Sequence, residues 1–172
     1  MAKKTRTTSR NNSRPKSLAK YRKAFRVGRA RTGLGLFATE PIEKGKLFIE
    51  YVGPRLLNDK IKREDKYMFE INNRWTVDGK PRSNTARYAN HSCRPNAESD
   101  IIKGRVYLRS IRNIKPGDEI TYDYGRDHFD AYIKPLGCKC VKCIEKRREA
   151  RAAARRKAAR RRKRAEAGRA RA

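Results

Sequence analysis

The sequence lacks long apolar runs, has few acidic residues near its ends, and contains little cysteine. No stretch approaches the roughly 20 consecutive apolar residues that a membrane span requires. The basic start is not followed by the apolar segment of a secretory signal, so we expect an intracellular protein with no membrane association. Four cysteines in 172 residues then indicate metal binding or free thiols rather than disulfides.

The shortage of acidic residues divides the chain into three parts. Residues 1–31 contain 12 Lys or Arg and no Asp or Glu, and residues 142–172 contain 15 against 3. The middle, residues 32–141, holds 20 basic and 15 acidic side chains, so the ends supply +24 of the formal net charge of +29. This distribution predicts one globular segment between two polycationic arms.

The two arms have different compositions. The first 20 residues carry too little apolar surface to offset the entropy of folding and are expected to be disordered on their own. Residues 145–172 are mostly Ala, Arg and Lys, which favour helix, but they form no apolar stripe that could pack on the domain. This second arm is therefore either a solvated helix or a disordered segment.

The middle of the chain predicts a mainly β domain, because short runs of β-branched and aromatic residues alternate with turn signals. Residues 33–37 contain two glycines and predict a tight turn. Residues 56–66 predict a short helix with Asn58 as its N-cap. Strands are predicted at 46–52, 67–71, 75–77, 97–102, 105–111 and 119–124.

Three short segments carry most of the functional information: Arg87-Tyr-Ala-Asn-His-Ser-Cys-Arg-Pro-Asn96, Gly117-Asp-Glu-Ile-Thr-Tyr-Asp-Tyr-Gly125 and Cys138-Lys-Cys-Val-Lys-Cys143. In this order they resemble the two signature motifs and the post-SET cysteine knuckle of SET-domain protein lysine methyltransferases. The resemblance covers roughly residues 26–143. It implies the SET (β-clip) fold, in which small curved sheets surround a knot-like crossing of the second motif with the first.

The resemblance also implies a division of the chain. A basic arm would occupy residues 1–25, the SET catalytic domain 26–127, a post-SET zinc knuckle 128–146 and a basic Ala/Arg/Lys-rich tail 147–172. The expected cofactors are S-adenosylmethionine and a structural Zn²⁺.

Lysine methylation needs a neutral amine aligned with the methyl group of S-adenosylmethionine. Lysine has a pKa of about 10.4, so removing its proton at pH 7 costs roughly 4–5 kcal/mol. A narrow aromatic channel beside the positively charged sulfonium would lower that cost, because the ammonium form is poorly solvated there. Alignment of the amine with the methyl group lowers the barrier further.

The family's roles can be carried onto matching positions of this sequence. The resemblance makes Tyr124 the catalytic tyrosine, and places Tyr122 at a Phe/Tyr switch position where tyrosine favours mono- or dimethylation. Tyr51 and Tyr67 match channel or pocket positions, and Phe69 is a further candidate. The implied cofactor-binding residues are Gly33, Leu34, Gly35, Tyr67, Arg87, Asn90, His91 and Tyr124.

Each of these features has a plainer interpretation. Alternating tyrosines at 122 and 124 are also typical of a half-buried strand face, and a single Gly-x-Gly at 33–35 is typical of an ordinary turn. Isolated tyrosines at 51 and 67 are more often core residues.

The cysteines suit a structural zinc site, which takes four tetrahedral ligands that are often all cysteine. In the family the fourth ligand follows the Asn-His-Ser sequence, so the implied set is Cys93, Cys138, Cys140 and Cys143. The knuckle here is Cys-x-Cys-x2-Cys, shorter than the Cys-x-Cys-x4-Cys of relatives. A metal ion in this site would hold the C-terminal segment against the domain. The alternative is that no metal binds, which leaves three free thiols and one buried cysteine.

The leading hypothesis is S-adenosylmethionine-dependent methylation of lysines on a basic protein, histone-like or ribosomal, associated with nucleic acid in chromatin or a nucleoid. The arms predict sequence-independent nucleic-acid binding that weakens with salt. The rival hypothesis is a non-catalytic nucleic-acid-binding protein that uses the SET fold as a scaffold. A third is methylation of something other than lysine, or of the protein itself, for example at Lys3, Lys4, Lys157 or Lys163.

Overall fold

The structure is a computed structural model, and it describes residues 17–21, 23–62 and 65–169. The helices are α1 (Ser17–Lys20), α2 (Arg126–His128) and α3 (Val141–Arg169), with 3-10 turns at Asn58–Lys60 and Thr85–Tyr88 and a π-helical turn at Phe129–Ile133. The strands are β1 (Phe25–Ala30), β2 (Gly33–Ala38), β3 (Leu47–Tyr51), β4 (Arg55–Leu57), β5 (Met68–Glu70), β6 (Trp75–Asp78), β7 (Asn90–His91), β8 (Ala97–Ile102), β9 (Arg105–Ser110) and β10 (Glu119–Tyr122).

Two sheets make up the domain, which confirms the predicted mainly β fold. The larger has the order β1-β2-β10-β8-β9-β3, and the short β7 also pairs with β10. The smaller has the order β4-β6-β5. Within the larger sheet, β10 runs antiparallel to β2 but parallel to β7 and β8, with Tyr122 opposite both His91 and Ala97. This parallel contact is where the second sequence motif meets the first.

Alternation along the strands explains the core. In β10, Ile120 and Tyr122 are buried while Glu119 and Thr121 are partly exposed, as period-2 packing on one sheet face requires. One apolar cluster lies around β2, β10 and β9, and extends N-terminally to Tyr21 and Ala24, which are 1% and 0% exposed. A second cluster, around Tyr51, lies between the two sheets.

Four of the predicted strands form two antiparallel hairpins. Strands β5 and β6 pair antiparallel, and the Asn72 side chain closes their turn by accepting hydrogen bonds from the backbone N–H groups of Arg74 and Trp75. Strands β8 and β9 pair across Lys103 and Gly104, which have φ of 53° and 69°. Two consecutive positive φ values are what a tight primed turn requires.

Two local predictions were wrong. Residues 33–37 are not a tight turn: the chain reverses just before them, and Gly33 (φ 115°) begins β2, which pairs along its whole length with β1. In place of the helix predicted at 56–66, the described residues of that range form the end of β4 and the 3-10 turn Asn58–Lys60. Asn58 does not cap a helix, since its side chain donates to Asn72 O at 3.0 Å and accepts from Thr76 Oγ1 at 2.8 Å. These contacts join it to the small sheet and override local helix propensity.

The structure describes part of each basic arm and can be compared there with the sequence predictions. Of the alternatives left open for the C-terminal arm, the structure has the helix: α3 runs for 29 residues, and its side chains from 145 to 166 are exposed. The predicted N-terminal disorder falls mainly on residues 1–16, outside those described, while Ser17–Lys20 forms one helical turn. In the described part of the chain, no helix has both the length and the apolar character to cross a membrane.

Candidate active site and cysteine cluster

A cavity of about 440 Å³ opens beside the parallel crossing of β7 and β10. Its walls come from strands, the 3-10 turn at Thr85–Tyr88, the segment after β10 and the loop before α3. Ten of the residues predicted from the sequence line it: Leu34, Tyr51, Tyr67, Arg87, Asn90, His91, Tyr122, Tyr124, Cys138 and Cys140.

Tyr124 is held at the centre of this arrangement. Its phenol donates a hydrogen bond to Ala89 O at 2.8 Å, and its backbone N–H donates to His91 Nδ1 at 3.3 Å. The His91 ring meets the Tyr124 ring edge-on, with centroids 5.5 Å apart. Burial raises the pKa of Tyr124 far above its usual value. The phenol is therefore a neutral hydroxyl at any physiological pH.

Two further tyrosines complete an aromatic wall. The Tyr122 ring lies 4.7 Å from that of Tyr124, and Tyr51, 5% exposed, donates from its phenol to Tyr67 O at 2.7 Å. Burial raises the pKa of both Tyr51 and Tyr122. Phe69 packs 5.7 Å from Tyr51 within the core and does not line the cavity. The wall thus presents neutral rings and hydroxyl groups, with no phenolate.

The Gly-x-Gly segment is fixed to the first motif by Asn90. The Asn90 amide donates to Leu34 O at 3.1 Å and to the Glu119 carboxylate at 2.8 Å. A Cβ on Gly35 would lie 2.9 Å from Glu119 Oε1 and 3.2 Å from Asn90 Nδ2, closer than normal contact. Glycine is therefore required for this approach. Gly33 and Gly35 shape the rim at Leu34 without lining the cavity themselves.

A second wall is cationic. The Arg87 guanidinium lies 4.0 Å from the centre of the Tyr67 ring, and its Nη1 donates to Lys80 O. The neighbouring Arg87 guanidinium lowers the pKa of Tyr67. Arg87 Nε is buried and finds no hydrogen-bond partner within the described residues. This corner of the cavity suits an anionic group such as a carboxylate.

The four cysteines converge next to this cavity. Their sulfur atoms all lie within 4.8 Å of one another, with Cys93 Sγ 3.5 Å from Cys143 Sγ and 3.9 Å from Cys138 Sγ. Zinc–sulfur bonds of about 2.3 Å in a tetrahedron put the sulfurs about 3.8 Å apart. The cluster fits a tetrahedral metal ion, despite the shorter knuckle.

The electrostatics of the cluster also favour a metal. Burial raises the pKa of Cys93, and it raises that of Cys138 to about 11. Burial acts the same way on Cys140, but backbone N–H donors from Cys93 and Cys143 outweigh it and lower the Cys140 pKa to about 7. One thiolate is thus available near neutral pH, and a bound cation would favour ionisation of the rest.

His91 connects the cluster to the aromatic wall. Its Nδ1 accepts from the Tyr124 backbone, so its Nε2 carries the proton and donates to Cys93 Sγ at 3.3 Å. Burial, the larger effect, lowers the His91 pKa, which keeps the ring in this neutral form. The four-sulfur site and the strand end that carries Tyr124 are therefore joined through one imidazole.

Sequence reasoning missed several lining residues. The segment that follows Tyr124 supplies His128 and Tyr132, whose rings lie 4.8 Å apart, with His128 edge-on to Tyr124. Its two aromatic side chains, placed directly after the second motif, were the available signal. Lys66 and Lys139 also line the cavity, and nothing in their local sequence indicates it.

A fold in which a short parallel crossing places two sequence motifs around an aromatic cavity defines the SET class of β proteins. Comparison with known sequences agrees: the family described as "SET domain" matches residues 33–125. The chain belongs to the SET domain family.

Named relatives share this domain. The chain is 36% identical over 125 residues to histone-lysine N-methyltransferase 2D of Homo sapiens, covering 64% of this chain and 2% of that protein. It is 32% identical over 147 residues to histone-lysine N-methyltransferase ASHH3 of Arabidopsis thaliana, covering 74% and 40%. It is 37% identical over 121 residues to the H3 lysine-4 specific histone-lysine N-methyltransferase of Schizosaccharomyces pombe, covering 62% and 13%. The chain therefore spans less than half the length of these relatives.

Proposed function

We propose that this protein is an S-adenosylmethionine-dependent protein lysine methyltransferase. The observation that carries the proposal is the position of Tyr124, whose phenol is fixed on Ala89 O inside a cavity shared with Asn90 and His91. A non-catalytic scaffold would not need a cavity that encloses three neutral tyrosines beside a cationic corner. We assign the catalytic unit to residues 26–127 and the knuckle to residues 128–146. Tyr21 and Ala24 precede the catalytic unit in the chain but are buried in its core.

The cavity divides into a cofactor side and a substrate side. Leu34, with its flanking Gly33 and Gly35, would hold the cofactor together with Tyr67, Arg87, Asn90, His91 and Tyr124. The unpaired Arg87 Nε offers a donor for the cofactor's carboxylate. When bound, S-adenosylmethionine supplies an electrophilic methyl group and a positive charge next to the amine.

The protein's own residues then act on the lysine. Tyr51, Tyr122 and Tyr124 form walls that cannot solvate an ammonium ion as water does, so the neutral amine becomes easier to form. The rigid hydrogen bonds of Tyr51 and Tyr124 fix these walls, which aligns the amine. The Tyr122 hydroxyl occupies space beside the amine and favours mono- or dimethylation.

The cysteine cluster would hold a structural Zn²⁺ through Cys93, Cys138, Cys140 and Cys143. Two of these ligands, Cys138 and Cys140, also line the cavity. The metal would therefore fix one wall of the site and the start of α3, and would take no part in methyl transfer.

The substrate we propose is a basic, histone-like protein associated with nucleic acid. The relatives are named for histone lysine methylation, and this chain's own arms carry +24 of its charge. The arms would bind nucleic acid without sequence preference, placing the protein at chromatin or a nucleoid.

The test is methylation of histone H3 and of lysine peptides with labelled S-adenosylmethionine, read by mass spectrometry. We expect methyl-lysine product, and binding of the cofactor in calorimetry that is weakened by Asn90→Ala. Arg74→Ala, a change at an exposed position outside the cavity, is the matched control. Cofactor binding without methylation of any lysine substrate would contradict the assigned reaction.

The second candidate is a non-catalytic nucleic-acid-binding protein, favoured by the concentration of charge in the arms. Calorimetry separates the two, because a pure scaffold gives no heat with S-adenosylmethionine. Binding to DNA alone does not decide between them, since both functions can coexist.

A further inference from the structure

The outer part of α3 is the most highly charged surface that the structure describes. Between Arg155 and Arg164 eight of ten residues are Lys or Arg and none is acidic, and every one is exposed. Over this stretch the helix packs on none of the other residues that the structure describes. A helix that is polar all round has no apolar face to bury, so charged and polar contacts would have to hold it against a partner.

The cations point in every direction around the helix. At 100° per residue, Arg155, Arg156 and Lys157 already occupy three different faces, and Arg160 to Arg164 fill the gaps. Like charges also meet along the helix at four-residue spacing, as at Arg156 and Arg160, which destabilises it when alone. A partner that surrounds the helix with negative charge would remove this repulsion.

Duplex DNA has the matching geometry. Its major groove is about 12 Å wide, close to the helix diameter of roughly 10–12 Å, and phosphates line both walls. A helix with cations on all faces can reach both strands from within the groove. The major groove of duplex RNA is too deep and narrow for a helix, and a single strand has only one backbone. The charge pattern therefore favours duplex DNA over either alternative.

The base of α3 is tied to the active site. Arg147 Nη2 donates to Cys138 O at 2.7 Å, Arg94 pairs with Glu145 at 3.1 Å, and Cys143 belongs to the sulfur cluster. Arg155 lies 12 residues beyond Cys143, or about 18 Å along the helix axis. DNA bound to the outer helix would thus be held at a set distance from the cavity.

The positive charge around this cavity opposes the approach of a basic substrate. Lys66, Arg87 and Lys139 line it, and the adjoining cavity of about 410 Å³ adds more cations, with Glu119 the single acidic lining residue in either among those described. A basic protein free in solution is therefore repelled on approach. A polyanion that binds both partners removes the repulsion and raises their local concentration.

From these observations we propose that α3 is a duplex-DNA-binding arm, and that bound DNA acts as a scaffold on which the enzyme meets a basic protein substrate. The scaffold role rests on the proposed methyltransferase function. It makes DNA a regulator of that activity: methylation of a DNA-bound basic protein is stimulated, and methylation of a short neutral peptide is not.

The binding test compares the full chain with a variant in which Arg156, Arg160, Arg161 and Arg164 are changed to Gln, which preserves helix propensity. The control variant makes the same charge change at four exposed residues of the domain: Lys44, Lys60, Arg82 and Lys115. Affinity is measured by fluorescence anisotropy for a 30-base-pair DNA, the matching single strand and the same duplex as RNA. We expect DNA affinity to fall at least tenfold in the α3 variant, with a salt slope shallower by about 3.6, and to change little in the control. Equal losses in the two variants, or equal affinity for all three nucleic acids, would overturn the assignment of α3.

The activity test titrates DNA into reactions containing either purified histone H3 or a lysine peptide with uncharged flanks. A scaffold gives a bell-shaped rise for the histone, because excess DNA separates enzyme and substrate onto different molecules, and leaves the peptide rate unchanged. The rise should be lost in the α3 variant while its peptide rate is kept. A flat histone response with normal peptide methylation refutes the scaffold alone. No methylation of either substrate refutes the proposed function, and the binding test still decides the role of α3.

Discussion

Changing Gly79 to alanine provides a direct test of how the aromatic wall is held. A Cβ at this position would overlap the Tyr51 ring, reaching its phenol oxygen and two of its ring carbons. The ring is 5% exposed and packed against Phe69, so an added methyl group would push it toward the cavity that it lines. To accept the methyl group, Tyr51 must leave its place and release its 2.7 Å hydrogen bond to Tyr67 O.

The cost follows from these two changes. Overpacking a core typically costs about 1–3 kcal/mol, and the lost hydrogen bond adds about 0.5–1.5 kcal/mol. We expect Gly79→Ala to lower the free energy of unfolding by roughly 2–4 kcal/mol and the Tm by roughly 5–12 °C. Methylation should fall with it, because the displaced ring no longer shapes the channel.

A double-mutant cycle identifies the cause. Tyr51→Leu removes the overlapped atoms, so Gly79→Ala made in that background should cost less than about 0.5 kcal/mol, a coupling of about 2 kcal/mol. Urea denaturation of the four proteins measures it. Gly117→Ala is the control: nothing lies within 4 Å of its added Cβ, and its φ of 89° makes the cost one of backbone strain alone. Additive costs in the Gly79 and Tyr51 cycle would refute the steric argument.

Three other changes test the site. Tyr124→Phe removes the donor to Ala89 O and should lower kcat about 10- to 100-fold. The free energy of unfolding, measured by urea denaturation, should fall by at most about 1.5 kcal/mol. Full activity would contradict the role of the phenol. Tyr122→Phe should add room beside the amine and shift the product toward higher methylation in mass spectrometry, and an unchanged product distribution would remove the switch assignment. Zinc should be present at one ion per chain by elemental analysis. Its affinity should fall as the pH is lowered, because protons compete for the sulfurs, and the fall should become steeper below the Cys140 pKa of about 7. Disulfide formation with no bound metal would contradict the site.

The sequence predicted which residues meet at the cavity better than it predicted the local structure around them. The two motifs are short and their side chains lie where strands cross, so Asn90, Tyr122 and Tyr124 could be grouped without knowing the rest of the fold. The crossing itself could not be derived, since the parallel contact of β10 with β7 depends on pairing between residues about 30 positions apart. It followed from the family resemblance.

Where the predictions were wrong, contacts within or between sheets had overridden a local preference. Asn58 has the side chain of a helix cap, but Thr76 and Asn72 offer it partners across the small sheet. Gly33 favours a turn, yet pairing of the next five residues with β1 extends a strand from it. His128 and Tyr132 follow the second motif directly, but their contacts near Tyr124 depend on how the helical segment that carries them turns back, which the local sequence alone does not determine.

The cysteine cluster shows why one site can serve both halves of the proposed function. Cys138 and Cys140 line the cavity, Cys143 lies in the first turn of α3, and Cys93 is linked to Tyr124 through His91. A metal held by these four sulfurs would fix the cavity wall and the direction of the cationic helix together. Loss of the metal should therefore weaken cofactor binding and also loosen the geometry between bound DNA and the active site, although the cations of the outer helix remain unchanged. Chelation should then abolish the stimulation by DNA while leaving most of the DNA affinity intact, a separation that a purely electrostatic tail would not produce.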